Sequence, residues 1–451
     1  MNKTLYPLTQ TQGVIMYSLK YVPHSHANIC SEFEFTCDID KNLMLQAVTL
    51  SLMRNPNNFI RLTKVGKEVK QYFTDEQPNK VEYEEFTDND AYENSLAEFA
   101  RKPFPNKHLE TQLVRIRVVK KPNGNIAING CFSHMIYDGY SIMMAFKDIS
   151  DIYKALLHDN PIPKISYPVI EAFEMDYAYN DSERFKIDEE YINNVTFGTE
   201  PQFTCLNGKE DKCFTEGQRK GKLGVSLRMK GSLIDLPLDR KLVDGVNNYA
   251  SNNRISAQTL YVLAVRSYLS KVCGDVDDVT IMLTIDRRPT LVQKKAGNTM
   301  GDSPYLRTIF KNDISFKEAL DKVNETELDT FKHSSYGAIR SVEITKKKYN
   351  CSATDIYTGL MFSYMPSLYV EDELKYKTRR ISNGTEVTNL CMYVTPSDSD
   401  QNYSCTYLFQ TKFISKETIN KLHSFVTKFI QIGLENDGLS IKEITERAMN
   451  I

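Results

Sequence analysis

The 451-residue chain has no tryptophan, and much else is missing from it. No apolar run approaches the roughly 18–20 residues needed to cross a bilayer as a helix. The opening Met-Asn-Lys-Thr-Leu-Tyr-Pro lacks the apolar stretch of a secretory signal. The 56 basic and 58 acidic side chains nearly cancel, to a net charge of −2. That leaves no electrostatic footprint for nucleic acid or an anionic membrane surface. Nine cysteines, an odd number without a close pair, point to reduced thiols and a cytoplasmic location rather than a disulfide framework. No glycine-rich phosphate loop is present, since Gly221-Lys222-Leu223-Gly224 lacks the spacing. His24-Ser25-His26 offers two metal ligands, but no third lies close in sequence, so no metal is expected.

What is there is an ordinary globular composition, 41% hydrophobic and 25% charged. A chain of this length exceeds one core and predicts two domains. Strand and helix patterns occur in similar amounts in both halves, an α/β (α+β) chain. Residues 29–37 alternate as a strand, 43–53 follow as a helix behind Asp38 or Asp40, and 59–62 and 67–73 pair across Val65-Gly66. Residues 90–101 read as a helix ending before Pro103. Asn160-Pro161-Ile162-Pro163 punctuates the chain, and the charged helical stretch to residue 191 reads as a connector rather than core. Residues 198–221, rich in Gly, Lys, Glu and Thr, read as an exposed loop. Beyond them, strands are expected at 225–236, 279–285, 360–364, 390–395 and 404–408. Helices are expected at 238–250, 256–273, 316–331 and 415–432.

The most informative stretch is Phe132-Ser133-His134-Met135-Ile136-Tyr137-Asp138-Gly139-Tyr140-Ser141. Residues 114–119 read as a strand, Lys121-Pro122-Asn123-Gly124 is strong turn chemistry, and 125–132 read as the returning strand. From Ser141 on, Ile142, Phe146, Ile149, Tyr153 and Leu156 recur at helical spacing, with Asp138 or Ser141 as cap. His134 therefore falls on a junction, and Gly139 is expected to permit the bend that exposes its ring. An imidazole with a pKa near 6.5 suits a general base at neutral pH. Asp138 can act from behind, on the imidazole or on a distant cation. The plainer alternative is a histidine satisfied by a carbonyl. Cys131, an odd number of residues before His134, falls on the other strand face and is expected in the core rather than as a nucleophile.

The string from Ser133 to Ser141 resembles the active-site motif of the HxxxDG acyltransferase superfamily, especially nonribosomal-peptide condensation domains. Their usual string is His-His-x-x-x-Asp-Gly, an aromatic residue and Ser; here Ser133 replaces the first histidine. Other landmarks follow in order. Pro7-Leu8-Thr9-Gln10-Thr11-Gln12 resembles the opening motif, and Arg54-Asn55-Pro56 to Phe59-Ile60-Arg61 a degenerate arginine-rich second one. Arg101-Lys102-Pro103-Phe104 is similar to the approach to the active-site hairpin. Residues 167–191 resemble linker helices, and Ile285-Asp286-Arg287-Arg288-Pro289 a strand-end Arg-Pro element. Met300-Gly301-Asp302-Ser303-Pro304-Tyr305-Leu306-Arg307 is a worn fifth motif, which blurs the donor and acceptor sides. His333 and Tyr336 fall at the family's His-Gln…Tyr-Pro-Phe position.

This resemblance implies two chloramphenicol-acetyltransferase-like lobes in a V shape, with an active-site tunnel at their interface. The N-terminal lobe covers 1–165, linker helices 166–197 and the C-terminal lobe 198–451. It implies an acyltransferase that joins an acyl or aminoacyl donor, held as a phosphopantetheine thioester on a carrier protein, to an amine acceptor. The product is an amide of nonribosomal peptide or natural-product biosynthesis. An acyl-coenzyme A-dependent enzyme acylating an amine or an alcohol is the alternative, and a non-catalytic carrier-protein docking module a third reading. His134 is implied as base or positioning group, with the Gly139 N–H facing the same cavity. Asp138 is implied to be structural and paired with Arg288, with Arg287 in reserve. Ser133, Tyr140, Ser141, Ser303 and His333 are candidates to line the substrate channel. No permanently bound cofactor is implied beyond the thioester arm of the substrate. Lacking tryptophan, the chain lacks the C-terminal Trp motif of plant acyl-coenzyme A transferases. It begins and ends almost where one condensation domain would, which predicts a free-standing enzyme.

Overall fold

The computed structural model describes residues 3–208, 220–222, 229–352, 354–366 and 373–450. The first of two main sheets has the strand order Tyr376–Ile381, Asn28–Phe35, Ile126–Ser133, Val114–Lys120, Glu82–Glu85. The hairpin at its centre closes where the Gly124 N–H donates to the Lys121 carbonyl, at 2.9 Å. Gly124 has φ 87°, a conformation that glycine adopts without a steric cost. One sheet face packs on the helices Lys41–Arg54 and Gly139–Leu157, with Phe33 stacked on Phe146 at 3.7 Å. The first of these helices starts at Asp40, whose carboxylate accepts the N–H groups of Asn42 and Leu43.

The second sheet has the order Tyr305–Ile309, Asp278–Leu283, Leu360–Tyr364, Leu390–Pro396, Tyr403–Gln410, Gly231–Pro237. Leu360–Tyr364 runs parallel to both of its neighbours, and the outer pairs are antiparallel. Its Leu360 and Phe362 are buried, as the centre of a covered parallel ladder requires. The helices Ala257–Val272, Phe316–Lys332 and Lys416–Glu435 enclose this second core. Arg266 is fully buried in the first of them. Its guanidinium donates to the Asp277 and Phe310 carbonyls, at 2.9 and 2.6 Å, and lies 3.9 Å from the Phe310 ring centre. Those contacts replace the water a buried cation loses.

Three features differ from the sequence reading. Tyr376–Ile381, inside the segment 198–451, crosses over to become the edge strand of the first sheet. Its basic residues disguise it, and an edge position tolerates them. Of the loop expected at 198–221, Phe203, Cys205 and Leu206 are buried, the first two against Ile356. Residues 209–219 lie outside the described residues. So do 223–228 of the strand expected at 225–236, which is observed as Gly231–Pro237. The connector forms the helices Val169–Tyr179 and Glu183–Tyr191, yet Phe173 is fully buried in the first core. Among the described residues no helix is long and apolar enough to cross a membrane.

The crossing strand is held by buried Glu32. Its carboxylate accepts from Arg379 Nε at 2.8 Å, Lys121 Nζ at 3.1 Å, Asn129 Nδ2 at 3.2 Å and the Tyr92 hydroxyl. Glu32→Ala leaves the buried Tyr92 hydroxyl without its acceptor, at about 1–3 kcal/mol, while Asn129 Nδ2 keeps its 3.0 Å bond to that hydroxyl. The urea midpoint of the variant should fall accordingly; an unchanged midpoint would contradict this role.

Candidate active site

The Ile126–Ser133 strand ends one residue before His134, and the Gly139–Leu157 helix begins five residues after it. Between them the N–H groups of Ile136 and Tyr137 both donate to the Ser133 carbonyl at 3.0 Å, and the His134 N–H donates to Ala27 at 2.7 Å. The turn is fixed from three further sides. Gln12 Nε2 donates to the Met135 carbonyl at 2.9 Å. The Tyr137 hydroxyl accepts from Asn55 Nδ2 at 3.1 Å and donates to Asn58 Oδ1 at 2.9 Å. Asp138 caps the helix, accepting the Ser141 N–H at 3.0 Å.

Asp138 also reaches the second lobe. Its Oδ2 accepts from Arg288 Nη2 at 2.7 Å and from the N–H groups of Met300 and Gly301 at 2.8 and 2.9 Å. Burial alone pushes the carboxyl up, but the Arg288 charge and these N–H groups outweigh it and hold it at about 2. Arg288 is buried, donates also to the Asn298 carbonyl at 2.6 Å, and lies 4.5 Å from the Tyr140 ring centre. Arg287 has a left-handed backbone, φ 51°, which sends its side chain elsewhere: to Asp176 at 3.4 Å and Thr11 Oγ1 at 3.4 Å. Consecutive arginines thus clamp the second lobe to the first at two points.

The His134 ring is half-buried, with Nδ1 3.4 Å from Thr299 Oγ1. Burial lowers its pKa, opposed by the charge of Asp138 and aided by that of Arg380. Thr299 also borders a narrow seam, lined with it by Thr11, Asn298 and Met300, which His134 itself does not line. Through Thr9 and Asp176 the seam adjoins a cavity of about 520 Å³ whose lining includes Gln10, Tyr17, Lys20 and Arg340. Among the described residues no three His, Cys, Asp or Glu side chains form a cluster that could hold a metal.

The remaining sequence candidates separate. Tyr140 is half-buried on Arg288, and Ser303, also half-buried, has its hydroxyl 3.3 Å from Thr284 Oγ1 and 3.2 Å from Met361 Sδ. Three others are held by partners of their own. Ser133 is fully buried, with Oγ 3.0 Å from His108 Nδ1; Ser141 is buried as the partner of Asp138 in the helix cap. His333 is buried too, 2.8 Å from Asp188 and stacked on Tyr191 at 4.0 Å, joining a linker helix to the second lobe. Gly139 does not have a left-handed backbone. A Cβ there would lie 3.0 Å from Met365 Sδ, so a larger residue would press on that side chain from the second lobe. Sequence reasoning gave no site role to His108, nor to Gln12, Asn55 and Asn58, although the last three lie inside the opening and arginine-rich motifs.

With this geometry in place, comparison with known proteins decides the family. The family model described as "Condensation domain" matches residues 2–445. The chain belongs to the condensation-domain family. This condensation domain is 23% identical to surfactin synthase subunit 1 of Bacillus subtilis (strain 168) over 99% of its own length, and 20% identical to bacitracin synthase 3 of Bacillus licheniformis over 76%. It spans only 12% and 5% of those relatives. Its fold matches the first condensation domain of the calcium-dependent antibiotic synthetase in complex with a substrate analogue, with TM-score 0.81 at 15% identity over 98% of this chain and 99% of that one. A starter condensation domain of rhizomide synthetase in complex with C8-CoA gives TM-score 0.81 at 13% identity over 97% and 96%. VibH, an NRPS condensation enzyme, gives 0.75 at 13% over 96% and 99%. The mixed α/β fold and the expected class, an acyltransferase of condensation type that forms amide bonds, stand with the family.

The site makes two predictions. Asp138→Ala leaves the Arg288 charge buried without its partner, at a cost of about 3–5 kcal/mol; denaturant unfolding should show the loss, and a stability within error of the wild type would contradict it. His26 and His108 are held near 4, in each case chiefly by burial. The unfolded chain therefore binds more protons than the folded one between about pH 4 and 6.5, and stability falls on acidification through that window. A Tm that holds or rises from pH 6.5 to 4 would contradict this.

Proposed function

We propose that this condensation domain transfers an acyl or aminoacyl group from a phosphopantetheine thioester to an amine, with His134 accepting the proton of the attacking nitrogen. The observation that carries the reading is a half-buried imidazole whose lowered pKa keeps it neutral at pH 7. An Nδ1–H directed at Thr299 Oγ1 leaves Nε2 with the free lone pair a base needs. As nitrogen bonds the thioester carbon, its proton passes to Nε2 and can return to the departing sulfur. Asp138 takes no part in proton transfer, because Arg288 and the 300–301 backbone occupy its carboxylate. Its role is to hold the turn, which fits the large share of catalysis that comes from alignment. On this reading the Gly139 N–H, at the first turn of the helix, faces the same substrates.

A carrier protein is the first choice of donor, from the synthases this chain resembles. Acyl-coenzyme A is the second, favoured by the C8-CoA bound to the rhizomide starter domain of the same fold. Lys20, Lys67 and Arg340 around the 520 Å³ cavity suit the acidic surface of one or the phosphates of the other. A cytoplasmic setting, where both donors occur, belongs to this proposal.

Incubation with acyl-loaded carrier protein and, separately, with acyl-coenzyme A, each with a panel of amines, tests it by product mass. His134→Ala should lower the rate by about 10²–10⁴. Equal product from that variant would sink the base role and favour docking without catalysis. The acid limb of kcat/KM should have its midpoint below 6.5, because burial lowers the His134 pKa; a midpoint above 6.5 would assign the limb to another group.

A further inference from the structure

The crossing strand brings to the site a cation that no motif predicts. Arg380 pairs with Ser31 across the first sheet, and its guanidinium reaches the second sheet, 4.3 Å from the centre of the Tyr393 ring. It therefore bridges the two lobes, close enough for its charge to act on both His134 and Glu386. Its neighbour Arg379 is paired with Glu32 at 2.8 Å and Glu93 at 2.7 Å. Among the described residues the Arg380 side chain has no hydrogen bond and no ion pair, although the residue is half-buried. Glu386, a carboxyl its charge reaches, accepts from the N–H groups of Val387 and Thr388 at 2.9 and 3.1 Å. Burial pushes that carboxyl up to about 7, so it neutralises Arg380 only in part.

Two arginines thus stand at the junction. Arg288 has Asp138; among the described residues the Arg380 guanidinium has an aromatic face and no ion pair. A partly desolvated guanidinium without an anion is unfavourable unless something else supplies one, and its forked donors match a carboxylate. The strand that carries Arg380 ends at the site: Asn383 Nδ2, three residues on, donates to the Asn28 carbonyl at 2.8 Å, and Asn28 pairs with Ser133, the residue before His134. An anion held there is near the reacting centre, whereas the phosphate of the thioester arm is the full length of pantetheine from the sulfur.

We propose that Arg380 is a specificity residue that receives a carboxylate carried by the substrate close to the reacting bond. The proposal rests on the acyl-transfer reading and narrows its substrate class. The carboxylate comes either from the side chain of an acidic aminoacyl thioester or from the α-carboxylate of an untethered amino acid acceptor.

Calorimetric binding to the full chain separates these sources without turnover. One arm compares the N-acetylcysteamine thioesters of glutamate and glutamine, the other leucine and leucinamide. In one arm the charged member should bind at least about tenfold tighter, the ratio expected of a charged hydrogen bond. Arg380→Gln should remove that preference. Should Arg380→Gln fail to fold, Arg380→Lys, which keeps the charge but not the fork, should weaken the preference several-fold. Preference for the glutamyl thioester assigns a tethered acidic residue; preference for leucine assigns a free amino acid. Failure of both charged probes to outbind their partners, or a preference unchanged in the variant, overturns the proposal. Loss of amide formation with the preference intact counts against the acyl-transfer reading and leaves Arg380 standing.

Discussion

One buried ion pair organises this molecule. Asp138 closes the turn that carries His134, and Arg288 comes from the end of a strand in the other lobe, so their 2.7 Å contact fixes one half against the other. Two charges taken from water cost several kcal/mol each, and only further hydrogen bonds make such a pair tolerable. Here they are present: the Met300, Gly301 and Ser141 N–H groups on the carboxylate, and the Asn298 and Asp286 carbonyls on the guanidinium. The contact supplies registry more than net stability. It draws residues 298–301 against the first lobe and so sets Thr299 beside the imidazole.

Asp138 is committed to Arg288, and although its charge raises the His134 pKa, burial outweighs it. Burial then decides the protonation of His134 and keeps it neutral. This differs from a triad, in which a carboxylate holds and charges the imidazole. On the proposed reading, a base poised in this way depends on where its two substrates are held, and alignment of the lobes carries the chemistry. Arg380 adds a positive charge at the same junction, in reach of whatever is aligned there.

Some of this was legible in the sequence because its signals are local. Lys121 to Gly124 specify a turn, the spacing from Ile142 to Leu156 specifies a helix face, and His134 between them needs no distant information. Arg288 was legible only through its resemblance to an Arg-Pro strand end. The misses arise where tertiary placement overrides local pattern. Ser133 follows the strand alternation, yet its direction matters only once His108, 25 residues away, meets it. His333 resembles a site residue until Asp188 and Tyr191 enclose it. Gly139 suggests backbone freedom, whereas its physical constraint is Met365 from the other lobe. Arg380 sits in a basic edge strand whose partner, Asn28–Phe35, lies far away in the chain.

The claim that the Asp138–Arg288 contact registers the lobes is tested most directly by a double-mutant cycle in unfolding free energy, with Asp138→Asn, Arg288→Met and the double variant. A coupled pair predicts a non-additive term of about 1–3 kcal/mol, with the double variant losing less than the sum of the singles. Additive losses would show that each residue acts alone, and would contradict the account.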